Sequence, residues 1–163
     1  MSQGRTGTGD RTRLRAAVPW ISTVARLLLG GVLLVAGVLK AVDPQASVAA
    51  VRAYELVPTG LETLVGWGLP FVEVALGLLL LVGVATRPAA AASGLLMLVF
   101  LVGVVSAAAR GLSIDCGCFG GGGAVPPDQT AYGREIARDL GLVLTAGWLV
   151  ARPQSRWSLE RVR

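Results

Sequence analysis

Histidine is absent from this 163-residue chain, and only 15% of its residues are charged. The first absence removes the commonest general base near neutral pH and most zinc ligand sets. Any chemistry must then come from cysteine, carboxylate or a partner. The second leaves too few charged side chains to cover a water-facing surface, because a soluble domain carries roughly 25%. Disorder is excluded too, since 53% hydrophobic residues and a mean hydropathy of +0.66 lie far above the range of a chain that cannot form a core. The composition is that of a membrane protein embedded in lipid.

Acidic residues are the scarcer charge, 10 against 15 Lys and Arg, for a net charge of +5. The basic excess gathers at the ends, with Arg5, Arg11, Arg13 and Arg15 before the first apolar run and Arg152, Arg156, Arg161 and Arg163 after the last. Basic flanks beside apolar runs are topology signals. No aromatic interleaving accompanies them, which argues against nucleic acid as a partner.

What is abundant is long apolar sequence, and it predicts an all-α bundle of four transmembrane helices over about 18–40, 61–85, 88–109 and 132–151. Val18–Leu39 is broken only by Arg26 and exceeds the roughly 30 Å hydrocarbon layer at 1.5 Å per residue. It also exceeds the h-region of a cleaved signal peptide, so it reads as a retained helix. Leu61–Ala85 holds Glu62 at its edge and Glu73 in its middle, and Pro88–Ala109 has no charge. The fourth uninterrupted run, Leu140–Ala151, rises only about 18 Å as a helix. Read from Tyr132 it becomes long enough, with Arg134, Glu135, Arg138 and Asp139 at headgroup level or facing the bundle interior. Gly30, Gly37, Gly77, Gly94, Gly103 and Gly141 are positioned to let helices approach closely.

Three ionisable residues fall inside or beside the spans: Arg26, Lys40 and Glu73. A carboxylate near the bilayer midplane is costly and needs a partner, protonation or water. Arg26 is the expected partner of Glu73, with Lys40 near the outer edge and farther from it. The third and second spans are joined through Arg87; placing both termini in the cytoplasm puts nine Lys and Arg inside against five outside, as the positive-inside rule favours. Residues 1–17 and 152–163 are then basic cytoplasmic tails, and the 110–131 loop is extracytoplasmic.

That loop holds the chain's two cysteines, Cys116 and Cys118, in Ile114-Asp115-Cys116-Gly117-Cys118-Phe119-Gly120. A lone pair on the oxidising side is a disulfide or redox-couple candidate, and Gly117 supplies the backbone freedom that a bond across one residue needs. A permanent staple enclosing one residue contributes little stability. A metal would find two thiolates and Asp115, at most three close ligands, and no metal is expected. Glycines at 120–123 are expected to leave the loop open to a docking protein.

The segments Arg26-Leu-Leu-Leu-Gly30-Gly31, Gly37-Val-Leu-Lys40-Ala-Val-Asp43-Pro44, Val51-Arg52-Ala-Tyr54-Glu55-Leu-Val-Pro58 and Pro70-Phe71-Val-Glu73, taken with Asp115 to Gly120, resemble the methylamine-utilisation MauE proteins. These in turn belong to a wider DoxX-like set of four-helix membrane proteins. The resemblance implies membrane-side help with disulfide formation or thiol transfer. In the resembled family the client is the small subunit of methylamine dehydrogenase, matured together with a thioredoxin-like protein. On that footing Cys116 and Cys118 are the catalytic couple, and Asp115, Gly117, Phe119 and Gly120 shape the loop. A single couple relays no electrons by itself, so a partner must supply the next step. A quinone between the helices is one candidate acceptor, although no residue singles it out. The reading from another class is a non-catalytic scaffold that docks a thioredoxin-like partner; a transporter, resting only on Arg26 and Glu73, is a third.

Overall fold

The computed structural model describes residues 8–155, 158 and 159, with side chains from residue 17 onward. Its helices are α1 (Thr8–Val42), α2 (Pro44–Ala53), α3 (Glu62–Val82), α4 (Thr86–Ala109) and α5 (Tyr132–Ala151). Three of them, α1 over Ala17–Val42, α3 and α4, are long and apolar enough to cross a membrane. The molecule is an all-α membrane protein. α5 has 20 residues, but the charges of its first two turns set it apart from those three. Arg5, Arg156, Arg161 and Arg163 of the expected tails lie outside the described residues, as do the side chains of Arg11, Arg13 and Arg15. α1 itself starts at Thr8, within the stretch read as an N-terminal tail.

Asp43 and Pro44 begin a helix that the apolar pattern had left inside an outer loop. Asp43 caps it by accepting from the Ala46 amide at 3.0 Å, and Pro44 occupies the first turn, where its missing N–H costs nothing. Ten residues are too few to cross a membrane, and α2 packs on α3 instead. The Ser47 hydroxyl donates to the Gly66 carbonyl at 2.8 Å. A Cβ on Gly66 would lie 2.7 Å from the Val48 backbone, so only glycine admits the contact.

The seam between α1 and α3 is also built on glycine. A Cβ on Gly30 would meet the Gly77 carbonyl at 3.0 Å, and one on Gly37 would meet the Pro70 carbonyl at 2.8 Å. Higher positions on α1 thus face lower positions on α3, and the two helices are antiparallel. Among the other glycines read as contact points, Gly94 faces Ala146 and Gly103 faces the Tyr54 ring, but Gly141 has nothing within 4 Å. Leu29, Leu33, Leu80, Met97, Leu142 and Leu149 form the buried core where α1, α3, α4 and α5 meet. Trp148 Nε1 donates to the Ser22 hydroxyl at 3.2 Å, and that hydroxyl donates to the Arg152 carbonyl at 2.8 Å, tying α5 to α1. Val24, Phe71, Leu95, Val102 and Leu144 are among the large apolar residues left exposed, as a lipid-facing surface requires.

The expected Arg26–Glu73 pair is not formed. Lys40 Nζ lies 2.5 Å from Glu73 Oε1, with both side chains buried. Arg26 Nη1 donates instead to the Leu80 and Leu81 carbonyls at 2.8 and 3.1 Å, where α3 runs out of amide donors and its carbonyls carry the negative end of the helix dipole. The seam register explains the exchange of partners. It sets Arg26 level with Leu81, about 12 Å along the axis from Glu73, and Lys40 level with Trp67, about 9 Å from it. A lysine side chain covers that remaining distance, and Arg26 is engaged at the end of α3 instead.

Candidate functional site: the dithiol loop

Between α4 and α5 the chain forms a small folded unit. β1 (Ile114–Asp115) pairs antiparallel with β2 (Gly123–Ala124), Ile114 opposite Ala124 and Asp115 opposite Gly123. The Tyr132 hydroxyl donates to the Leu112 carbonyl at 2.5 Å and accepts the Ile114 amide at 3.2 Å, pinning the unit to the start of α5. Asp115 Oδ1 accepts the Gly117 amide at 3.0 Å, and Gly117 has φ +67, which reverses the chain between the cysteines. Gly120 to Gly123 all have positive φ, but they do not form an open stretch. A Cβ on Gly122 would strike Ala50, and one on Gly117 would fall 2.5 Å from the Ala50 Cβ. Glycine here is what lets the loop lie flat on α2.

The two sulfurs sit in different surroundings. Cys118 is buried and Cys116 is part-exposed, and both are free thiols. The Cys118 amide donates to Cys116 Sγ at 3.3 Å, and Arg138 Nη2 approaches the same sulfur at 3.7 Å. The hydrogen bond from the Cys118 thiol is the largest influence holding Cys116 below the ordinary cysteine range; the Cys118 amide and Arg138 act in the same sense, against burial and Glu135. The Cys118 thiol is pushed up, by that same hydrogen bond and by burial. One sulfur is therefore the better placed to carry negative charge, and the other stays protonated.

Arg138 joins several parts of the site. Its Nε donates to Asp139 Oδ1 at 2.8 Å, and its guanidinium lies over the Phe119 ring, 5.1 Å from the centroid. Arg110 pairs with Glu55 Oε2 at 3.7 Å and donates to the Tyr54 carbonyl. Arg134 is exposed. Gly120 forms an isolated bridge with Cys118, so the residues expected to shape the loop all lie within one folded turn. Arg26 lies elsewhere, at the far end of α3. Lys40 and Glu73 reach the site from beneath. Glu73, Cys118, Phe119, Arg138 and Asp139 line a cavity of about 20 Å³, room for one water. Glu73 Oε2 and Asp139 Oδ2 each lack a hydrogen-bond partner among the described residues.

Three side chains gain a role that the apolar pattern did not assign. Tyr54, at the end of α2, donates from its hydroxyl to the Cys116 carbonyl at 3.3 Å, and burial followed by the nearby thiols keeps its phenol protonated. Glu135 and Asp139 are buried, and their spacing of four, which puts both on one face of α5, was the available signal. Asp115, Cys116 and Glu135 offer donor atoms within 4.8 Å of one another. Arg138 holds a fixed positive charge at the same sulfur, which opposes a cation there.

Fold and loop together define a class: an all-α membrane protein that presents a docked dithiol turn at one end of its bundle. The family model of the methylamine utilisation protein MauE matches residues 18–152, and the chain belongs to that family. No curated protein and no solved structure matches the chain.

Proposed function

We propose that the chain exchanges a disulfide with an extracytoplasmic thiol protein through Cys116 and Cys118. The observation that carries this reading is the asymmetry of the pair: a part-exposed sulfur whose anion is stabilised beside a buried thiol that remains protonated. When a client is oxidised, its thiolate attacks the Cys116 sulfur of the Cys116–Cys118 disulfide, and Cys118 leaves and takes a proton. A second client thiolate then releases Cys116, so the client gains the disulfide and the protein keeps both thiols. The resembled family supplies the client class, a disulfide-rich secreted subunit of an amine dehydrogenase, and a thioredoxin-like protein as partner.

The arrangement in the membrane follows from charge. Nine basic residues against five favour cytoplasmic termini and set the dithiol loop on the oxidising side. α5 serves as the fourth span, with Arg134 and Arg138 at headgroup level and Glu135 and Asp139 turned inward. The test is mechanism-based trapping in cells. Cys118→Ser leaves Cys116 to accumulate as a mixed disulfide with its client, and Cys116→Ser yields no such adduct. Client maturation that persists in a Cys116→Ser/Cys118→Ser variant overturns exchange and leaves the scaffold reading.

A further inference from the structure

Cys116 and Cys118 line a second, larger cavity of about 320 Å³, bounded by α2, α3 and α4. Its walls are almost wholly apolar; besides the cysteines, Lys40, Ser47 and Tyr54 are the polar side chains lining it. All three are engaged, Lys40 with Glu73, Ser47 with the Gly66 carbonyl and Tyr54 with the Cys116 carbonyl. A peptide strand entering here would bury amides and carbonyls with nothing to pair them. Val99 on α4, 59% exposed, and Leu56 after α2, 54% exposed, both form part of the wall, so the cavity is bordered by exposed apolar side chains as well as by the loop. The volume lies within the range of small-molecule sites, roughly 300–1,000 Å³.

The chain has one cysteine pair. Electrons taken from a client must leave through an acceptor that reaches the same two sulfurs once the client has departed. An acceptor that enters between these apolar walls must be uncharged, apolar and small, and it must take two electrons with two protons. A quinone meets each condition, and a lipid acyl chain, which fits the same walls, cannot accept electrons.

We propose that this cavity holds the ring of a membrane quinone, which reoxidises the Cys116/Cys118 dithiol. The inference rests on the exchange reading above and names its electron acceptor. Two S–H bonds break, one S–S bond forms, and the two electrons and two protons pass to the two carbonyl oxygens of the quinone, giving the hydroquinone; no other reactant is needed. Lys40, paired with Glu73 and with its ammonium 5.2 Å from the centroid of the Phe100 ring, forms the polar corner of the cavity wall, where a ring oxygen would sit. Tyr54 holds the Cys116 backbone at the cavity edge.

The test uses the full-length protein, reduced, in lipid nanodiscs without oxygen. The probe is a decyl-tailed benzoquinone with every ring position substituted, which prevents arylation of the thiols. One quinone is reduced per chain as both thiols disappear, and Cys116→Ser/Cys118→Ser abolishes the reaction. Val99→Trp, which fills the cavity from its α4 wall, slows quinone reduction by at least about tenfold but leaves exchange with a soluble thioredoxin-type disulfide unchanged. Thiols that react with the soluble disulfide but not with the quinone overturn the quinone and leave exchange standing. Thiols inert to both overturn both readings. Equal quinone rates in wild type and Val99→Trp overturn the cavity as the place of reaction. A retained acyl lipid with no quinone reduction assigns the cavity to lipid instead.

Discussion

At the scale of single residues, the site depends on how neighbours share charge. Cys116 is held below the ordinary cysteine range first by Cys118 and then, in part, by Arg138, and only the thiolate alkylates. The alkylation rate of Cys116 should therefore rise with pH through a midpoint lower than that of an unperturbed cysteine. Cys118→Ala and Arg138→Gln should each move that midpoint upward, as read by mass spectrometry of iodoacetamide-treated protein. Glu73 is the second case. With Lys40 as its partner, Glu73→Gln or Lys40→Met alone leaves a buried group uncompensated and should cost about 3 to 5 kcal/mol. The double variant should lose less than the sum, while Glu73→Gln combined with Arg26→Gln should be additive, because those two residues are not in contact. Unfolding in detergent, measured for all five variants, decides between the two partners.

At the scale of elements, glycine sets distances. The α1–α3 seam brings backbone against backbone, and a Cβ on Gly77 would sit 2.8 Å from the Leu34 amide nitrogen and 2.9 Å from the Gly30 carbonyl. Neither neighbour is a flexible side-chain end that can move aside. Gly77→Ala should therefore destabilise by about 1 to 3 kcal/mol. Gly68→Ala, on the same helix with nothing within 4 Å, should be neutral or slightly stabilising through helix propensity. Thermal unfolding of the two variants side by side tests this, and equal losses would remove the seam as the cause. Shifting this seam would also move Lys40 relative to Glu73, so element packing and the buried ion pair are one structural fact seen at two scales.

At the scale of the whole molecule, the proposed orientation sends the dithiol loop away from the cytoplasm. In intact cells treated with a membrane-impermeant reductant, a membrane-impermeant maleimide should label Cys116, with the buried Cys118 reacting more slowly. Labelling that requires opening the membrane would reverse the orientation and with it the class of client. On the proposed readings the sulfurs have two approaches, one beside the exposed Phe119 and part-exposed Arg138 and an apolar one between α2, α3 and α4.

The amino-acid sequence by itself determined the class, because apolar runs of Ala17–Val42, Glu62–Val82 and Thr86–Ala109 leave their backbones no alternative to helix in hydrocarbon. It also marked the loop, since Cys116-Gly117-Cys118 holds every thiol in the chain, and several contact glycines. It did not reveal α2, whose Asp43-Pro44 start is a local signal overshadowed by its modest apolar content. The partners of Arg26, Lys40 and Glu73 were decided by tertiary structure alone. Charge and depth in the membrane constrain such residues only to within a turn or two, whereas the axial offset fixed by Gly30, Gly37 and Gly77 determines which side chain reaches which. The same holds for the inequality of the two thiols. Two cysteines one residue apart are chemically alike in sequence, and they differ here because the loop folds onto Ala50, Tyr54 and Arg138, which come from two other helices and bury one sulfur while stabilising the charge on the other.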